Sequence, residues 1–485
     1  MAGTGVIGHA HSHREQVCGV QADREAQTLY DGEKRRPDWA HGDMGVRDNN
    51  SNIKGNNILG GQFVADKTAQ KSQSTLKAVL FGYPLLWLAG LGALFWPLLL
   101  LAVMPVLLRA RHTKTTLIPI LVAVTILFSS IIGTVIFGFQ VDRILAMLFN
   151  VCVWVALSGT LLLTRLIRLD ILLAKSIAIT SVFQGLVILA AYIVFPSRLP
   201  FPILSSYAEA TPAALSVFMT NNIMQLDWLG GIELRSRGIM GNPTWSGVFG
   251  AIAVLTAIGM YSRVSSRWRF TLLLGAAGGM IAMNFALSRS VQIAIIIAIG
   301  FGLFVFLRDR SPALFFLTAT IGVIALCLVL LVGGEFITNY VVAINNDRAG
   351  SLESRSAIYE QTFQLIQKLH FPVFGYGIKP QVPGLVASLG THSTYLGLIF
   401  RGGLSALALF LMIVTAVAIF AYRRRDFLAT ALITLIAAWT IFEDFDTGHW
   451  LPLALVLAYA SSNVKPTKVE SDRFDHPNSK SSRTF

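Results

Sequence analysis

His392 stands in Thr391-His392-Ser393-Thr394-Tyr395, where the polar stretch that follows Gly333 gives way to a new apolar run. An imidazole at such a boundary titrates near neutral pH and can take a proton from a hydroxyl held at a lipid surface. Arginines recur along the same part of the chain. Arg235 and Arg237 lie in Glu233-Leu234-Arg235-Ser236-Arg237-Gly238, Arg289 sits in the tripeptide Ser288-Arg289-Ser290 between two apolar runs, and Arg355 follows Ser354 at the start of a helical pattern. A guanidinium offers a planar fork that meets phosphoryl oxygens in a bidentate manner, so such a set can grip an anion while the imidazole handles a proton. Plainer readings stand beside this one. Arg235 or Arg237 can pair with Glu233 or Asp227, Arg289 can snorkel to an interface, and Arg355 can be a surface arginine of little cost.

The elements that must hold these residues are apolar. Of 485 residues, 54% are hydrophobic and 13% charged, with a mean hydropathy of +0.62. A soluble domain carries about 25% charged residues, so this composition describes a polytopic membrane protein. The net charge of +13 does not point to nucleic acid, because Lys and Arg cluster in the polar N-terminal segment and in short stretches between apolar runs. That distribution is a topology signal. Cys18, Cys152 and Cys327 are too few and too scattered for a disulfide framework.

Apolar segments of membrane-crossing length fall near 78–92, 94–108, 116–137, 144–164, 176–195, 244–262, 270–287, 291–307, 313–333, 394–421, 427–442 and 451–463. The 31 residues from Ala78 to Leu108 are long for one crossing and short for two. Charge favours two. Clusters at Arg109/Arg111/Lys114, Arg165/Arg168/Lys175, Arg263/Arg267/Arg269, Arg308/Arg310 and Arg423/Arg424/Arg425 then share the cytoplasmic side with both chain ends. The expectation is an all-α bundle of about twelve spans, residues 78–463, with a large external loop at 334–393. Residues 1–77 read as a disordered cytoplasmic tail and 464–485 as a cytoplasmic C-terminal tail. His9, His11 and His13 in the first tail can bind a metal loosely, although solvated histidines without supporting partners are the simpler reading.

The sorted external face carries Arg235, Arg237, Arg289, Arg348, Arg355 and Arg401, where the positive-inside rule disfavours arginine. Within the large loop, Ile358, Phe363, Leu365, Ile366 and Leu369 recur at helical spacing from Ser354 to His370, and Pro372 ends the run. This predicts an amphipathic helix with Arg355 in its first turn, a place where an anion can be shared with the helix N-terminus. Phe374-Gly375-Tyr376-Gly377-Ile378-Lys379-Pro380 then reads as a flexible turn, either the rim of a sugar site or packing. Glu443, Asp444 and Asp446 in the last external loop can orient His392 or an acceptor, with a solvated acidic loop as the simpler view.

Taken in order, Arg235-Ser236-Arg237-Gly238 with Asn242-Pro243, Ser288-Arg289-Ser290, Ser354-Arg355 with Tyr359, Gly375-Tyr376-Gly377, and His392-Ser393 followed by Tyr395-Leu396 and Gly403-Leu404 resemble the O-antigen ligase and polymerase superfamily. The resemblance covers about Leu80 to Leu457. It implies a metal-independent, cofactor-free membrane glycosyltransferase of GT-C type in a bacterial cytoplasmic membrane. The implied donor is a polyprenyl-diphosphate-linked glycan, and the implied acceptor is a glycan, a lipid-linked sugar or a protein hydroxyl. His392 corresponds to the histidine that activates the acceptor hydroxyl, and Arg237 and Arg289 to residues that bind the diphosphate, with Arg355 and Arg235 beside them. The chain has His392-Ser393 where His-Asn is commoner, which weakens a ligase assignment more than the superfamily one. The competing class is a transporter or flippase. Against it, the apolar runs are nearly free of acidic residues and show no repeat between halves.

Overall fold

The computed structural model describes residues 55–139, 141–194, 223–226, 234–331, 349–368, 372–380, 382, 385, 388–445 and 450–463. The histidines of the N-terminal tail, Asp227, Glu233, Arg348, Asp446 and the C-terminal tail lie outside them. The chain divides into residues 1–58 and a compact unit of residues 59–485.

The described secondary structure is helical apart from one short ladder, with turns and loops between. In order they form α1 (Gly55–Leu88), α2 (Phe95–Arg109), α3 (Lys114–Phe137), α4 (Val141–Leu163), α5 (Leu169–Val194), strands β1 (Met224–Leu226) and β2 (Leu234–Ser236), α6 (Pro243–Met260), α7 (Ser266–Ala286), α8 (Arg289–Arg310), α9 (Pro312–Leu331), α10 (Ala349–Gln367), α11 (Thr394–Arg424), α12 (Phe427–Phe442) and α13 (Leu451–Asn463). The strands pair antiparallel, with Gln225 opposite Arg235. Among the described residues eight helices are long and apolar enough to cross a membrane, and three more apolar helices, at Pro312–Ile324, Phe427–Phe442 and Leu451–Asn463, are shorter.

Two expectations are corrected here. Helix α1 begins at Gly55, not near Ala78, because residues 62–77 are rich in Ala, Gln and Lys and contain no proline. The segment expected as disordered to residue 77 is therefore helical in its last part. Helix α10 begins at Ala349, which puts Arg355 in its second turn and removes the argument from a helix N-terminus. The apolar run 78–108 is two helices, broken around Gly90, whose φ of 78° is in the left-handed region.

The helices start where their side chains can cap them. Asn242 accepts from the Thr244 amide at 2.9 Å with Pro243 in the first turn of α6, and Asp426 accepts from the Ala429 amide at 2.8 Å to open α12. Asp426 also pairs with Arg263. Small residues let α5, α6 and α7 approach closely: a methyl group on Gly279 would lie 2.6 Å from the Gly250 carbonyl oxygen, and the Ser181 hydroxyl donates to Gly275 O at 2.8 Å.

Aromatic rings fill the interior beneath the polar segments. Tyr83 of α1 packs edge-on to Phe95 and Trp450, at 5.1 and 5.6 Å between ring centroids, and its hydroxyl donates to Ile239 O at 3.1 Å. Phe445 is wedged beside Trp154 and Phe410, at 5.7 and 5.8 Å. That wedge fixes the two acids that precede it.

Candidate functional site

His392 closes a turn that leads into α11. The Tyr359 hydroxyl, one turn past Arg355 on α10, donates to His392 O at 2.7 Å, and the Gly390 amide donates to the hydroxyl of fully buried Thr362 at 3.1 Å. Helix α10 thus holds the histidine turn from one side. From the other, Thr394 donates to Glu443 O through its amide at 3.1 Å and its hydroxyl at 2.9 Å, while the Phe445 amide donates to Thr394 Oγ1 at 2.6 Å.

This places Glu443 and Asp444 against the histidine turn, and both are buried, at 7% and 4% exposure. The view of a solvated acidic loop is corrected: Phe445 anchors the segment in the aromatic interior and carries its neighbours with it. Glu443 Oε1 accepts from Arg355 Nη2 at 3.1 Å. Asp444 Oδ2 accepts from Lys379 Nζ at 2.6 Å and from the buried guanidinium of Arg401. Asp444 Oδ1 lies so close to Gly397 that a β-carbon there would be 3.0 Å from it, so a larger residue at that turn of α11 would have to displace the carboxylate by a few tenths of an ångström. Neither acid is hydrogen-bonded to the imidazole, and His392 Nδ1 is buried with no hydrogen-bond partner among the described residues.

Ionisation follows from this packing. Burial, reinforced by Arg355 and Lys379, holds the His392 imidazole down to about 4, so it is neutral at physiological pH. Burial pushes the Glu443 carboxyl up to about 7, against the pull of Arg355 and Arg235. Tyr359 is raised by burial, and burial lowers Arg237 from its ordinary value.

The structure places Arg355 on Glu443, whose carbonyl oxygen holds Thr394 two residues after His392, and Arg235 also acts on Glu443. Arg235 Nε also donates to Ala286 O at 3.1 Å, at the C-terminus of α7, three residues before Arg289. Arg289 opens α8 after the N-cap Ser288, is half-buried, and makes no hydrogen bond or ion pair among the described residues. Arg237 sits just beyond β2, its amide donating to Ile223 O at 2.8 Å. Sequence reasoning gave no role to Lys379 and treated Arg401 only as a cation on the same face. The signal was a buried-side cation next to Gly402-Gly403 in an apolar run, which demands a counter-ion nearby.

Gly375-Tyr376-Gly377 packs against α11. Helix α11 breaks at Gly403, with φ 69° and ψ −168°, and the loop fills the break. The Tyr376 amide donates to Phe400 O at 2.7 Å, the Leu404 amide to Pro372 O at 2.8 Å, and the Ser405 hydroxyl to Val373 O at 2.7 Å. Ser129 of α3 donates to Phe374 O. The groups freed by the broken helix are satisfied by the loop that delivers Lys379 to Asp444.

Residues 270–411 match the model of the O-antigen ligase family. The chain carries an O-antigen ligase family domain. The chain is a multi-pass membrane protein, and the matched segment contains Arg289, Arg355, Lys379, His392 and Arg401, while Arg235, Arg237, Glu443 and Asp444 lie beyond it. No curated protein and no solved structure matches the chain.

Proposed function

We propose that this chain is a membrane glycosyltransferase that takes a polyprenyl-diphosphate-linked oligosaccharide as donor and transfers or polymerises it at the outer face of a bacterial cytoplasmic membrane. The observation that carries the reading is His392, held by Tyr359 of α10 beside the Arg355–Glu443 pair, within a segment that matches the O-antigen ligase family. The acceptor hydroxyl gives its proton to His392 as its oxygen forms the new bond to the sugar C1. The old C1–O bond breaks, and its electron pair leaves on the diphosphate. The diphosphate is a good leaving group, so the site needs to neutralise developing charge rather than supply a strong acid.

Arg289 is the leading diphosphate ligand, because its guanidinium is not committed to a carboxylate among the described residues. Arg237 joins it. Arg355 and Arg235 act from the Glu443 side, where their hydrogen bonds to protein hold them in place. The acceptor is a lipid A core sugar, another repeat unit or a protein hydroxyl, with a further repeat unit favoured because the described residues of the large loop hold one modest helix. Purified protein in liposomes is expected to consume a polyprenyl-diphosphate glycan and yield an elongated or transferred glycan. Uptake or efflux of a solute or lipid-linked glycan without turnover would instead establish the transporter class.

The topology belongs to the same proposal: about twelve crossings, reached by adding the three shorter helices and the apolar end of α1, with both ends cytoplasmic. In a background without the native cysteines, single cysteines near Arg289 and Phe374 are expected to react with an impermeant thiol reagent in spheroplasts. Ones near Arg308 and Arg424 are expected not to. Labelling of the second pair would reverse the sidedness on which the reaction depends.

A further inference from the structure

The cation nearest the histidine in the 372–380 segment belongs to no role derived above. Lys379 is 14% exposed, held 2.6 Å from Asp444, and acts on His392 through space. The charges that act on the imidazole are Arg355 from α10 and Lys379 from the docked loop, with the Tyr359 hydroxyl on the His392 backbone oxygen, Arg355 on Glu443, Lys379 and Arg401 of α11 on Asp444, and Arg235 acting on Glu443. Four cations thus stand against two acidic side chains, one of them raised towards neutrality by burial, and neither is bonded to the ring.

We propose that Asp444 is a positioning residue that fixes Lys379 beside His392, and that this lysine, with Arg355, couples proton acceptance by the imidazole to the presence of an anionic diphosphate. The proposal rests on the reading of the site as a diphosphate-dependent transferase. In the empty site an imidazolium would add a further positive charge to an already cationic, largely buried cluster, so the ring is a weak proton acceptor. A diphosphate diester brings two negative charges against the same cations. It cancels their field at the ring, and the imidazole then accepts a proton readily. The base is thereby armed by the donor. An acceptor or a water molecule that enters first meets a histidine too weak to activate it.

Linkage makes this measurable without turnover. If an anion raises the proton affinity of His392, then binding the anion must draw a proton from solution at a pH between the empty and occupied values. Full-length protein in nanodiscs is titrated with symmetric dimethyl diphosphate, a dianion with no titrating oxygen near neutrality, at about pH 5.5. Calorimetry in buffers of differing ionisation enthalpy then gives the proton uptake. Glu443 is already protonated at that pH and stays so when an anion binds, so it contributes little. Wild type is expected to take up a substantial fraction of a proton, and His392→Gln none. Lys379→Met, whose histidine is already relieved of one cation, is expected to take up less and to show the acid limb of kcat/KM moved to higher pH. Asp444→Asn, which loosens the lysine, is expected to fall between them. Lys379→Arg, which keeps the charge, is expected to restore the wild-type limb, a rescue that a purely structural lysine would not predict in the pH profile. Binding without proton uptake, alongside loss of turnover in His392→Ala, overturns the coupling and leaves the transferase reading standing. Absence of any diphosphate binding overturns both.

Discussion

His392→Ala is expected to lower glycan transfer by about 10²–10⁴-fold, the usual contribution of a general base, while membrane insertion and donor binding persist. The sharper variant is His392→Gln. The ring is anchored through its backbone, since Tyr359 bonds its carbonyl oxygen and not its side chain, so the amide replacement keeps the turn and keeps donor and acceptor capacity. It cannot take a proton at neutral pH. A wild-type rate for purified His392→Gln would show that the side chain merely fills the entry to α11. The sign of the pH dependence follows from the same role. The imidazole accepts a proton only when neutral, so kcat/KM rises with pH through its titration and the loss is on the acid side.

The second large effect is expected at Arg289. Arg289→Lys keeps the charge and removes the fork, and if a diphosphate is held in a bidentate manner the loss is about 1–3 kcal/mol, about one to two powers of ten in kcat/KM. Because Arg289 has no hydrogen bond or ion pair to break among the described residues, little of that loss can be attributed to a disturbed fold. Arg355→Lys differs in kind: it also disturbs the 3.1 Å contact to a buried glutamate that holds the entry of α11, so its effect mixes binding with structure. Measured melting of the detergent-purified variants separates the two. An Arg289→Lys enzyme with undiminished kcat/KM would return Arg289 to the snorkelling reading, since an ammonium on a flexible stem reaches an interface equally well.

What could be read from the sequence followed local rules. The apolar runs became helices close to their expected bounds, as with Pro243–Met260 against 244–262, because twenty apolar residues and a capping asparagine are local information. The start of α8 at Arg289 was equally legible. The start of α1 was not, since polar residues of high helix propensity carry no hydrophobic period to mark them. Glu443 and Arg355 are 88 residues apart, and nothing at either position names the other. The burial of the two acids comes from Phe445, a single aromatic whose partners Trp154 and Phe410 lie in distant helices. Gly402-Gly403 sat in plain view inside the run 394–421, but a glycine pair in an apolar segment reads equally as close helix packing. The loop that turns it into a break is a tertiary fact.

The break at Gly403 has an evolutionary consequence. In an unbroken helix, adding or deleting one residue rotates everything beyond it by about 100°, so every side chain facing a neighbour is committed to a single phase. Here the piece from Thr394 to Gly402 takes its phase from Tyr376 and the Glu443 carbonyl, and the piece from Leu404 onward starts afresh on Pro372 and Val373 before it packs along the bundle. Insertions and drift in the second piece can re-face the lower bundle without turning Arg401 away from Asp444. The lineage is free to reshape one end of this helix for a new membrane or partner while the chemistry at the other end keeps its register.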